Sequence, residues 1–157
     1  MRRIVQRKSV RSILLVLAVM AAVLAPQAPA HAAWGTQTPL NYTLAVSGGN
    51  PYQLLTYVDG NWIQWDTGGE KVRLSINHCR QSSYVIPDIK VFINGTYKGT
   101  LYGPSSGCKT HTPTYDFGSH IDTVKLTNTG SSFSYYPWTG EFIHTYHSRS
   151  GTWVNPY

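Results

Sequence analysis

The chain has 157 residues, with 13 Lys and Arg against 7 Asp and Glu. Five of the bases, Arg2, Arg3, Arg7, Lys8 and Arg11, precede an apolar run at 13–24, so the rest of the chain sets eight bases against seven carboxylates, a net charge of +1. Those eight are scattered singly rather than clustered into the stripe that phosphate neutralisation requires, which argues against nucleic acid and anionic membranes as partners.

The N-terminus reads as a secretory signal peptide of bacterial style. A basic region leads into twelve apolar residues, short of the roughly 20 that a membrane-spanning helix needs. The sequence Ala30-His31-Ala32 supplies a small-residue cleavage site, with Ala28-Pro29-Ala30 as the alternative. The expected organisation is a leader over 1–32 and one extracellular domain over 33–157, long enough to bury a core of its own. Cys79 and Cys108 are the only cysteines, and in an exported chain they are expected to form one disulfide.

In chain order, 34–39 reads as a polar lead-in, and Tyr42, Leu44 and Val46 alternate as a first strand ending at a Ser-Gly-Gly-Asn-Pro turn. Segments 52–58 and 61–65 flank Asp59-Gly60, which predicts a two-residue hairpin with Tyr57 opposite Trp62 and with Leu54, Val58, Ile63 and Trp65 on one face. Val72, Leu74 and Ile76 alternate with polar residues in a half-buried strand that delivers Cys79. After a short piece at 84–86, Ile89, Val91 and Ile93 run into Asn94-Gly95. A three-residue loop there, with Gly95 left-handed, pairs Val91 with Tyr97 and Ile89 with Gly99 and keeps one face apolar. Segment 103–107 is a turn and 111–114 is irregular. A short edge piece at 115–117 and a strand at 121–127 come next, then a turn at 128–132. Segments 133–136, 142–147 and 152–154 complete the set. Eight to ten short strands without helical periodicity predict an all-β, antiparallel β-sandwich of jelly-roll-like or Greek-key type, with a closed β-barrel as the alternative.

All five tryptophans, eleven tyrosines and four phenylalanines lie beyond residue 32. Flat rings stack on the C–H faces of sugars while amides and carboxylates reach the hydroxyls, so an exported, aromatic-rich sheet points to polysaccharide or glycan binding. Two clusters are candidate ligand-binding platforms. Tyr57 and Trp62, with Asp59, Asn61 and Gln64, are expected to carry most of the binding; Tyr135, Tyr136 and Trp138 form the other. The strand–Asn-Gly–strand unit is similar to hairpins of many carbohydrate-binding β-sandwich modules, a likeness that covers this hairpin alone.

Catalytic motifs are missing: there is no Gly-x-Ser-x-Gly elbow, P-loop or dinucleotide fingerprint, and a disulfide would consume both thiols. His144 and His147, with His111 and His120 earlier, invite a metal reading, but positions three apart on a strand point to opposite faces and a helical His-x-x-x-His pattern is absent, so no metal or other cofactor is expected. The reading is a monomeric, non-enzymatic binding protein. The alternative is a secreted effector acting on a protein, as a protease inhibitor or antibacterial factor, through a disulfide-clamped loop at 103–114.

Overall fold

A computed structural model of the chain describes residues 33–40, 44–48, 52–82 and 87–157. The leader expected over 1–32, Tyr42, residues 49–51 of the expected first turn and the piece at 84–86 lie outside the described residues. Ala32–Tyr157 forms one compact unit.

Alternation at Val72, Leu74 and Ile76 sets the inner face of β4 (Lys71–Arg80), and β3 (Gln53–Asp66) pairs antiparallel along it. The far side of β3 is lined by β1 (Trp34–Pro39) and β2 (Val46–Gly48). The far side of β4 is lined by β7 (Cys108–His111) and β8 (Thr114–Asp116). The opposing sheet has the order β10-β9-β5-β6, built from β5 (Asp88–Ile93), β6 (Thr96–Tyr102), β9 (Thr123–Tyr136) and β10 (Glu141–Val154). The sheets stay separate, so the architecture is a β-sandwich and not the closed barrel.

The core lies between the sheets. Val58, Ile63, Trp65, Val72, Leu74 and Ile76 meet Ile89, Val91, Ile93, Val124 and Leu126, all withdrawn from water. Each such side chain contributes about 1.5–3 kcal/mol of burial free energy. The chain crosses to the second sheet after β4 and returns at β7, where Cys79 and Cys108 are direct cross-strand partners joined by a disulfide with Cα atoms 4.0 Å apart.

Several local expectations give way to longer-range pairing. Asp59-Gly60 is not a hairpin, because β3 runs straight through it. The register against β4 shifts by one residue between Asp59 and Trp62, and this bulge flips the parity so that Val58, Ile63 and Trp65 still share the inner face. Leu54 drops out of that set at 40% exposure, while Leu55 is buried with Val46. At the central hairpin Ile93 pairs directly with Thr96, so the loop is the two-residue Asn94-Gly95, with φ of 48° and 77° as a type I′ turn demands. A bulge beyond it takes up Lys98 and pairs Val91 with Gly99 and Ile89 with Leu101, which keeps the apolar face inward.

Segment 34–39 is strand β1 rather than a lead-in, because it lies along the second half of β3. Residues 108–111, a third of the supposed clamped loop, are strand β7. Residues 128–132 are no turn. Asn128 is buried with its amide donating to the Leu44 carbonyl at 2.6 Å, so β9 continues for 14 residues.

Candidate functional site

The β9–β10 pair is registered without a shift from Thr123–Val154 to Tyr136–Glu141, and residues 137–140 form the connecting turn. β5 pairs with β9 only over 124–129. Beyond that point, β9 and β10 form a two-stranded ribbon. Because directly opposed residues share a face, Tyr135 lies beside Phe142, Phe133 beside His144, and Ser131 beside Tyr146. These rings stand on the outer side of the sheet, the side of Lys125 and Thr127 rather than of Val124 and Leu126.

The rings form a ladder. Phe133 and His144 stack with centroids 4.4 Å apart and planes 5° from parallel, Tyr135 and Phe142 are 5.0 Å apart, and His144 lies 4.4 Å from Tyr146. Exposure is high, 72% at Phe142, 78% at Tyr146 and 87% at Trp138 in the turn. At the foot of the ladder a hollow of about 320 Å³ is lined by Asp88, Lys90, Thr129, Tyr146, His147 and Ser148. Thr129 donates its hydroxyl to the Asp88 carboxylate, which fixes an acceptor in the hollow that Lys90 also lines. A linear row of rings ending in a charged, hydroxyl-lined hollow can hold an extended polar ligand by stacking and hydrogen bonding together.

Of the second sequence-derived cluster, Tyr135 is on the ladder, Trp138 is at its tip, and Tyr136 faces the opposite side with Ser134. The sequence reading missed Phe133, Phe142, Tyr146, Asp88 and Lys90. The period-2 spacing of Phe133 with Tyr135, and of Phe142, His144 and Tyr146 across one short turn, carried the signal. His144 stacks in the ladder, whereas the His147 ring reaches Ser132 Oγ at 3.1 Å on the reverse face against Gly48.

The first cluster is dispersed along β3. Tyr57 and Trp62 share the outer face of the other sheet, but they pair with Cys79 and Ser75, four residues or about 13 Å apart along β4. The Arg73 guanidinium lies 4.5 Å from the Trp34 ring centroid and 5.6 Å from that of Trp62, and its Nε donates to Gln64 Oε1 at 2.7 Å. The Gln64 amide also donates to the Gly35 carbonyl, and Gln64 is only 7% exposed. Trp62 and Gln64 thus fasten β1 to β3. Asp59 accepts the Gly60 N–H at 2.9 Å, and the Asn61 carbonyl accepts from Leu40 at 2.8 Å.

A polar cluster is buried between the sheets. Thr56 Oγ1 donates to the Cys79 carbonyl at 2.8 Å, so it accepts from His78 Nε2 at 2.9 Å, which assigns that proton to Nε2. His78 Nδ1 and Asn128 Oδ1 are then two acceptors with no donor among the described residues. Burial, reinforced by the nearby His111, lowers the His78 pKa to about 4. His111 is lowered too, by burial and then by Lys109.

No family model, curated protein or solved structure matches this chain.

Proposed function

We propose that the protein is an extracellular, non-enzymatic binding protein for polysaccharide, and that the β9–β10 ladder is its contact surface. The observation that carries this reading is the row of Tyr135, Phe142, Phe133, His144 and Tyr146, which lies open to solvent on one face of a paired ribbon. Rings held on paired strands lose little side-chain entropy on binding, and their exposed apolar faces recover hydrophobic free energy against sugar C–H groups. The ladder is open at the Trp138 end, so it suits an internal stretch of a glycan chain, with Asp88, Lys90 and Thr129 serving hydroxyls at the other end. This places the contact on the second aromatic cluster rather than on Tyr57 and Trp62.

A glycan array combined with an insoluble-polysaccharide pull-down tests the reading. The expected result is retention on at least one polysaccharide, with Phe142→Ala and Tyr146→Ala each weakening it about tenfold, as buried aromatic contacts do. The absence of retention on any glycan would overturn the reading, and so would retention unaffected by both substitutions.

A further inference from the structure

Sheet edges expose unpaired N–H and C=O groups that template another strand, and natural edges are blunted by brevity, bulges, proline or lysine. Five edge strands here follow that rule. β2 and β8 have three residues and β7 has four, while β6 carries Lys98 in its bulge. β1 has a register shift and ends in Pro39. β10 does not follow it. It is 14 residues long, pairs with β9 without a shift, and contains neither proline nor lysine. Over 141–149, no strand or backbone group among the described residues pairs with its outer edge.

The charges on β10 choose the occupant. Apart from histidines it carries one acid, Glu141, and one base, Arg149, both exposed and without an ion-pair partner among the described residues. They are eight residues apart and so lie on the same face of the strand. If two β10 strands run antiparallel about a two-fold axis through Thr145, Glu141 of each copy stands opposite Arg149 of the other. In this register both charge pairs are satisfied at once. It also sets His144 opposite Tyr146 on the ladder face and Ile143 opposite His147 on the reverse. An isologous contact of this kind closes on itself and does not propagate into a fibre.

We infer that the protein forms a two-fold dimer through antiparallel β10–β10 pairing centred on Thr145, joining the two four-stranded sheets into one of eight strands. This replaces the monomer expected from sequence. It also sets the two aromatic ladders side by side, but it does not depend on what the ladder binds.

Light scattering with size exclusion on the purified protein, from about 1 to 100 μM, covers the affinity range of a contact carried mainly by backbone pairing. The expected result is a dimer at the upper end. Glu141→Arg and Arg149→Glu should each weaken it about fivefold to tenfold by setting like charges opposite. The double exchange should restore it to within about threefold of the parent. Thr145→Cys should cross-link rapidly under oxidation, because directly opposed residues have Cα atoms about 4.5–5.5 Å apart, within disulfide reach. Ser148→Cys should not, because its twin lies about six residues or 20 Å away. The wild-type measurement needs no variant to fold, and a monomer at every concentration would overturn the proposal. A double exchange no better than either single change would overturn it too, as would equal cross-linking at 145 and 148.

Discussion

Acidification from pH 7.5 to 4 should cost the fold about 3 kcal/mol through the single side chain His78. In the unfolded chain this imidazole takes up a proton near pH 6.5, while in the sandwich it resists protonation until about pH 4. The folded pKa is therefore depressed. The stabilisation from keeping His78 neutral is complete above pH 6.5, declines as the pH falls toward 4, and is gone below. A gap of about 2.5 units at about 1.4 kcal/mol per unit amounts to about 3.5 kcal/mol in full, of which about 3 is expressed by pH 4, where the folded imidazole is half protonated. His111 adds a contribution of the same sign. The groups around His78 are Thr56 on β3, Asn128 on β9, His111 on β7 and Asp88 on β5, and of these Asn128 and Asp88 pull its pKa partly back. Urea unfolding followed through the buried Trp65, at half-unit steps of pH, measures the effect in the wild type and in His78→Leu. Carboxylates titrate alike in both proteins, so the difference in unfolding free energy should shrink by about 3 kcal/mol between pH 7.5 and 4. A difference that stays constant over that range would refute the assignment of a neutral, buried imidazole.

Other consequences are simpler to measure. Reducing the Cys79–Cys108 bridge, which spans 29 residues, should lower stability by about 3 kcal/mol, read as a drop in thermal midpoint with reductant; an unchanged midpoint would contradict it. Asn94→Ala should cost about 2–4 kcal/mol. It strains a residue at φ 48° and removes side-chain bonds to the His120 carbonyl and to the N–H groups of Asp122 and Thr123. Asn94→Gly, free of the strain, should lie measurably between wild type and Asn94→Ala in urea midpoint. Gly103→Ala would set a methyl 2.6 Å from the Pro87 carbonyl and 2.9 Å from the His78 ring. It should destabilise by at least about 1 kcal/mol in the same assay.

Alternation that agreed with tertiary burial was legible in the sequence. Val72, Leu74 and Ile76, the isoleucine–valine face of β5, and the cysteine pair all stand where the residues alone put them. What escaped was wherever a local turn signal was overruled by pairing at a distance. Asp59-Gly60 became a bulge because both halves of β3 had β4 to run along, and 128–132 stayed in β9 because β10 pairs with it throughout and the Asn128 amide has the Leu44 carbonyl to bond. The ladder escaped for a related reason. Its residues were visible, but which ring faces which depends on the register of β9 on β10, and the four-residue turn alone does not set that register. The role of Trp62 was hidden because its partner, Arg73, is a neighbour only across strands.

The placement of the Cys79–Cys108 bond bears on the order in which the molecule assembles. Between the two cysteines the chain leaves one sheet, makes the β5–β6 hairpin in the other, and returns. That hairpin is made of near-neighbour contacts and forms early, whereas the β4–β7 partnership holding the sulfurs together is remote and costs loop-closure entropy. A chain that refolds with the bond intact begins with this closure already made. β7 is then delivered to β4, and the hairpin is held near the strands it must cover. A chain that refolds reduced has to find the same closure by diffusion, so refolding of the oxidised protein should be the faster of the two.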